Sequence, residues 1–228
     1  MENSILIELV AKGLEELKNE VVFLGGMVTF MYADDASLSD IRPTKDVDCI
    51  VQVHSKMAYA DLEEKLRKKG FKNDVYSDKP LICRFLYEGI IVDVMPTDTD
   101  ILGFSNKWYK AGFENRVLYQ LTTETTIYIL PVEYYLATKF EALLGRGGTD
   151  LRISHDFEDI IYIVQNNANL VSSVQLANLE VQKYLKEQFK SILEDKNNRE
   201  SVEAVLPYNS SIEEIEFVLE KIKELINC

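Results

Sequence analysis

Three aspartates stand out for what surrounds them. Asp46 and Asp48 flank Val47 at the head of an apolar run that continues through Cys49, Ile50 and Val51. Side chains two apart on a strand point to the same face, so the two carboxylates project together. Two such charges repel, and burial raises the cost unless a cation lies between them. Asp93 sits inside Ile90-Ile91-Val92-Asp93-Val94-Met95, where a lone carboxylate is expensive without a partner. A shared divalent ion would satisfy all three, since Mg²⁺ takes oxygen ligands and commonly combines one or two carboxylates with substrate phosphates. Three carboxylates also suit a two-ion transfer site, where one ion activates an acceptor hydroxyl and the other stabilises the leaving pyrophosphate. Taken alone, Asp46 and Asp48 read equally well as two solvated acids at a strand start.

Other residues could supply the remaining contacts of a nucleotide. Gly25-Gly26 ends the apolar run of residues 21–24. Glycine lets backbone approach a ligand closely, and free N–H groups at a following helix start would face an anion. Further along, Lys139 shares a helical segment with Tyr135 and Leu136, four and three residues before it. It therefore either faces the α/β part, as a point charge for a triphosphate, or decorates the surface. Arg146, Asp156 and Asp159 follow within the same stretch.

The elements that would position these groups follow from periodicity. Residues 5–17 form an amphipathic helix, residues 21–24 a buried strand turning at the glycines, and residues 27–32 the start of a helix. Residues 34–44 read as a loop and residues 47–53 as a second buried strand. A helix over residues 59–69 closes at Gly70. Residues 81–87 and 90–95 pair as strands turning at Glu88-Gly89, and Pro96 stops the second. Residues 97–112 read as irregular, and residues 116–121 and 125–130 as another hairpin. Pro131 opens a helix over residues 132–144; after a loop, Ser154 caps a helix to residue 165. The rest is helical with a break near Pro207. The expected fold class is thus α+β, a mixed sheet flanked by helices in residues 1–130, followed by a C-terminal helical bundle in residues 131–228.

Composition narrows the function classes. A net charge of −13 makes general nucleic-acid binding unfavourable, because phosphates need clustered Lys and Arg. The local cluster Lys65, Arg67, Lys68 and Lys69 reads as a solvated helix end. The three dispersed cysteines, without a CxxC, read as buried or tail thiols, and with the two histidines far apart they argue against a zinc site. No apolar run approaches membrane-spanning length and the acidic start does not suit a signal peptide, so a soluble, cytoplasmic chain without membrane partners is expected.

The succession Phe23-Leu24-Gly25-Gly26, then Arg42-Pro43-Thr44-Lys45-Asp46-Val47-Asp48-Cys49-Ile50, then Val92-Asp93-Val94-Met95 resembles the polymerase-β-like nucleotidyltransferase superfamily. The later Lys139-Phe140-Glu141-Ala142-Leu143-Leu144-Gly145-Arg146 and His155-Asp156-Phe157-Glu158-Asp159-Ile160 resemble its AbiEii-type branch, which includes toxins of toxin–antitoxin systems, some modifying tRNA. The resemblance implies a nucleotidyltransferase-like fold and transfer of a nucleoside monophosphate from an NTP to a hydroxyl. It implies that Asp46, Asp48 and Asp93 bind Mg²⁺, or Mn²⁺ in its place, with Asp93 assisting deprotonation of the acceptor. It places Gly25, Gly26, Arg42 and Thr44 at the nucleotide, with Lys139 on the donor phosphates and Asp156 beside them, Asp159 competing for that role. The implied partners are an NTP, an acceptor that is an RNA or tRNA end, a protein or a small molecule, and a cognate antitoxin. Two departures bear on this. Many relatives carry Ser where Gly26 stands, and the long gap from Gly26 to Asp46 suggests that residues 34–41 form an inserted loop near the site. The rival readings are an aminoglycoside-type nucleotidyltransferase, which the acidic excess suits, and a catalytically silent nucleotide-binding module.

Overall fold

The computed structural model describes residues 2–35, 42, 44–75, 81–146 and 150–228. These divide into two compact units: Met1–Val28 with Arg42–Pro131, and Thr29–Ile41 with Val132–Cys228.

The first unit is built on a seven-stranded mixed sheet. Its strands are β1 (Val21–Leu24), β2 (Asp46–Val51), β3 (Lys72–Asn73), β4 (Arg84–Tyr87), β5 (Ile90–Pro96), β6 (Val117–Gln120) and β7 (Thr126–Ile129). Their order across the sheet is β3-β4-β5-β2-β1-β7-β6. β1, beside the central strand, is apolar and buried along its whole length, as a strand covered on both faces requires. β2 runs antiparallel to β1 and parallel to β5. A parallel neighbour requires a crossover. It is supplied by α2 (Lys56–Lys68), whose first turn is capped by Ser55 accepting from the Ala58 N–H, and by the β3–β4 segment. Tyr59, Leu62 and Leu66 bury the inner face of α2, and the Tyr59 hydroxyl donates to the Val94 carbonyl at 2.8 Å. α1 (Glu2–Leu14) buries Ile7, Val10, Ala11 and Leu14.

The β4–β5 hairpin turns at Glu88-Gly89 as expected. Both residues have positive φ, 49° and 83°, which a two-residue turn matched to strand twist requires. Several expectations are corrected. The helix expected over residues 27–32 is of 3₁₀ type, Gly26–Tyr32. The stretch read as irregular holds two short helices, α3 (Thr99–Leu102), capped by Asp98, and α4 (Tyr109–Glu114). β3 went unforeseen. The suggested inserted loop falls mostly on residues 36–41, outside the described residues.

The second unit is helical: α5 (Val132–Gly145), α6 (His155–Asn166), α7 (Leu170–Leu176), α8 (Leu179–Glu194), α9 (Asn198–Val205) and α10 (Ile212–Asn227). Ser154 caps α6 through the Phe157 N–H, and Ser211 with Glu214 forms a capping box on α10. Its core includes Phe140 against Phe189, edge to face at 5.1 Å, with Phe157, Leu185, Val218 and Ile222 fully buried. Among the described residues no helix is long and apolar enough to cross a membrane.

Candidate active site

β2 presents Asp46 and Asp48 half-buried on one face while Val47 and Cys49 are buried on the other. In the parallel β2–β5 pairing, Asp48 lies in register with Asp93. Residues in register on neighbouring strands show their side chains to the same face, so the third carboxylate joins the first two. Ligand oxygens from Asp46, Asp48 and Asp93 lie within 4.8 Å of one another. Asp93 is only 6% exposed. The donor set is all oxygen and anionic, which fits a hard divalent cation such as Mg²⁺ or Mn²⁺ and does not fit a thiolate or imidazole metal. Among the described residues no thiol joins this group, and Cys49 faces the other side of β2. Burial pushes Cys83 up to about 12, with the Asp93 charge adding to it, and burial likewise raises Cys49.

A side chain that the sequence does not single out is bonded to the third carboxylate. Arg84, the first residue of β4, stands directly opposite Asp93 across the antiparallel β4–β5 pair. Its Nε donates to Asp93 Oδ1 at 2.8 Å and its Nη2 to Oδ2 at 2.7 Å. The guanidinium is held still more firmly protonated by that pairing, with Asp46 adding to the effect. The signal was present in the sequence: counting back from the Glu88-Gly89 turn pairs Tyr87 with Ile90, and three steps further Arg84 with Asp93.

Gly25 follows β1 with φ +77°, and the residue before it, Leu24, pairs with Asp48. A Cβ on Gly25 would fall 1.9 Å from Asp48 Oδ2. This glycine is therefore needed on two counts, for its backbone and for the room it leaves the carboxylate. Gly26 opens the 3₁₀ segment. The Thr44 hydroxyl donates to the Met27 sulfur at 3.4 Å, which ties the approach to β2 to the first turn of that segment. Arg42 is half-buried.

Lys139, Arg146, Asp156 and Asp159 form a group within the second unit. Lys139 is 7% exposed, which overturns its reading as surface decoration. Its Nζ meets Asp159 Oδ2 at 2.5 Å and Asp156 Oδ1 at 3.3 Å, and lies 5.8 Å from the Tyr135 ring centre. Arg146, largely exposed, pairs with the other Asp156 oxygen. The Tyr135 hydroxyl shares a 2.7 Å hydrogen bond with Thr29, and its ring packs on Tyr32 at 4.5 Å between centres. The basic cluster at the end of α2 is partly neutralised, since Lys69 is paired with Glu15 and Glu16 and Arg67 is bonded to Asn73.

No protein-family model matches the chain, and no curated protein matches it in sequence. Among solved structures it is similar to an antigenic nucleotidyltransferase-like protein from Paracoccidioides brasiliensis, with 16% identity and a TM-score of 0.53 over 93% of this chain and 97% of that one. It also matches a “putative nucleotidyltransferase” from H. pylori, with 12% identity and a TM-score of 0.48 over 99% and 94%. The first likeness establishes the fold: a nucleotidyltransferase-like mixed sheet flanked by helices, with further helices after it.

Proposed function

We propose that the chain is a divalent-metal-dependent nucleotidyltransferase, moving a nucleoside monophosphate from an NTP onto an acceptor hydroxyl. The observation that carries this reading is the meeting of Asp46, Asp48 and Asp93 within 4.8 Å on a nucleotidyltransferase-like sheet. Bound there, Mg²⁺ or Mn²⁺ would neutralise charge on the phosphates and lower the barrier to attack. Asp46 and Asp48 would hold the ion, while Asp93 would complete the site, orient the acceptor hydroxyl and assist removal of its proton. The hydroxyl oxygen forms a bond to the α-phosphorus as the bond to the bridging oxygen breaks, and pyrophosphate departs with that electron pair. Such a reaction asks the protein mainly for positioning and charge neutralisation.

The backbone at Gly25 and Gly26, with Arg42 and Thr44, is assigned to the nucleotide. Lys139 and Asp156 are assigned to the donor phosphates by resemblance to the AbiEii-type branch. For Lys139 that contact would require it to share its charge with Asp156 and Asp159.

The acceptor assigned is an RNA or tRNA end, or a protein hydroxyl, in a toxin countered by a cognate antitoxin and working in the cytoplasm. A small cationic acceptor is the second reading, and the net charge of −13 favours it. The test is incubation with each labelled NTP, Mg²⁺ and a cell extract, followed by separation of RNA, protein and small molecules. Label in RNA or protein supports the macromolecular reading, and label only in small molecules supports the second. No transfer to any fraction, together with no metal-dependent NTP binding, leaves a silent module and overturns the assignment.

A further inference from the structure

Asp93 carries a second constraint that the transfer chemistry does not ask for. Both of its oxygens are hydrogen-bonded by one guanidinium, in the parallel two-bond geometry in which arginine matches a carboxylate. The pairing is fixed by strand register, because Arg84 and Asp93 are direct cross-strand partners. It is also sheltered, the two side chains being 21% and 8% exposed. Arginine does not shed its proton in proteins, so this charge cannot be removed by titration as a lysine's could. Asp46, on the neighbouring strand β2, adds its negative charge to the surroundings of the guanidinium. The three carboxylates therefore face an approaching cation with a permanent positive charge already paired to one of them.

We propose that Arg84 is a positioning residue that locks the Asp93 carboxylate in place and, through its fixed charge, holds down the affinity of the triad for a free divalent ion. This rests on the nucleotidyl-transfer reading. The geometry separates two effects that most ligand-supporting side chains combine. Orientation comes from the paired hydrogen bonds, and attenuation comes from the charge. Each carboxylate oxygen has two lone pairs, and Arg84 uses one on each, so Asp93 can serve an ion without releasing the arginine. Occupancy in the absence of nucleotide is thereby made low, and the negative phosphates of a bound NTP supply what the triad lacks.

The test compares Arg84→Gln, which removes the charge and keeps one hydrogen-bonding arm, with Arg84→Lys, which keeps the charge and loses the fork. Mn²⁺ affinity is measured directly on the whole chain without nucleotide, and melting temperature with EDTA and with Mn²⁺. Arg84→Gln should bind Mn²⁺ about tenfold more tightly than the wild type. It should melt lower in EDTA and regain more on Mn²⁺ addition than the wild type does. Arg84→Lys should keep the wild-type Mn²⁺ affinity within about twofold while melting lower in EDTA, because a point charge does not reproduce the fork. Equal Mn²⁺ affinity for Arg84→Gln and wild type would overturn the attenuating role and leave an ordinary structural ion pair. If Arg84→Gln is unfolded in EDTA, a cooperative transition restored by millimolar Mn²⁺ supports the proposal, and failure to restore it overturns it. Asp48→Asn is the separate control for the parent reading. Loss of wild-type Mn²⁺ binding in that variant upholds the metal site whatever Arg84 does. Absence of Mn²⁺ binding in the wild type and both Arg84 variants, with or without NTP, removes the site and this role together.

Discussion

Oδ2 of Asp48 lies where a side chain on Gly25 would have to be, 1.9 Å from the position of its missing Cβ. The turn after β1 and the carboxylate on β2 are thus mutually fitted, and the left-handed backbone of Gly25 is part of the fit. Gly25→Ala should displace the Asp48 carboxylate as well as strain the turn. Gly103 makes a fair control, since it has nearly the same φ, +83°, and nothing within 4 Å of its Cβ position. Backbone strain alone is roughly 1–2 kcal/mol in either variant. Gly25→Ala should lose more stability than Gly103→Ala and should also lose the response to Mn²⁺. Equal melting points and equal Mn²⁺ responses for the two would refute the fit.

Asp48→Asn should abolish nucleotidyl transfer while the fold persists. It removes one of three carboxylates held close together, so melting temperature in EDTA should hold or rise as repulsion is relieved. Turnover at the wild-type rate would sink the metal assignment.

Mg²⁺ or Mn²⁺ with an NTP should raise the melting temperature, and EDTA should cancel the gain. A ligand that binds only the folded chain stabilises it by roughly 2.7 kcal/mol at a hundredfold excess over Kd. Calorimetry or dye-based melting with each of the four NTPs checks this. No shift with any of them at millimolar concentration would favour a silent fold.

What could be read from the sequence was what local physics dictates. Alternation put Asp46 and Asp48 on one face, and the cost of an isolated carboxylate marked Asp93 within its apolar run. That the two strands lie side by side in parallel register, bringing Asp93 to Asp48, is a long-range fact that periodicity does not carry. Arg84 is within reach of local reasoning, since the hairpin register counted back from Glu88-Gly89 sets it opposite Asp93. β3, with two residues, and α3, with four, are too short to leave a pattern. The helices of the second unit were visible from their spacing, yet the burial of Lys139 was not, because it depends on Asp156 and Asp159 arriving from another helix.

That burial changes what a mutation at Lys139 should do. From sequence, Lys139→Ala reads as nearly neutral for stability. In the structure it removes the ammonium group from beside Asp159 and Asp156, and breaking a buried pair costs about 3–5 kcal/mol. Chemical denaturation should show such a loss, whereas Lys110→Ala, at an exposed position, should match the wild type. Lys139→Arg keeps a charge and serves to read NTP affinity in a folded protein. A neutral Lys139→Ala would mean that the ion group is not formed in solution.

Glu133, at the start of α5, is shifted upward, chiefly by burial. A carboxyl whose folded pKa exceeds its unfolded value binds more protons when folded. Stability from this group is therefore full at low pH and is lost as pH rises through the shifted pKa. Glu133→Gln, which removes the titration, should stabilise the chain relative to wild type at pH 7, and the gain should shrink as pH falls toward 4.5. A difference independent of pH would contradict the sign.

The chain leaves the first unit after Val28, returns by Arg42 and leaves again after Pro131. Tyr135 takes its hydroxyl partner, Thr29, from the early excursion, and Tyr32 of the same excursion covers its ring. A gene fragment starting at codon 132 would encode α5 without either. Recombination at a single breakpoint therefore cannot transplant the helical unit whole onto another protein. A lineage that exchanged the helices would have to carry residues 29–35 along with them, so the two stretches are expected to be inherited together.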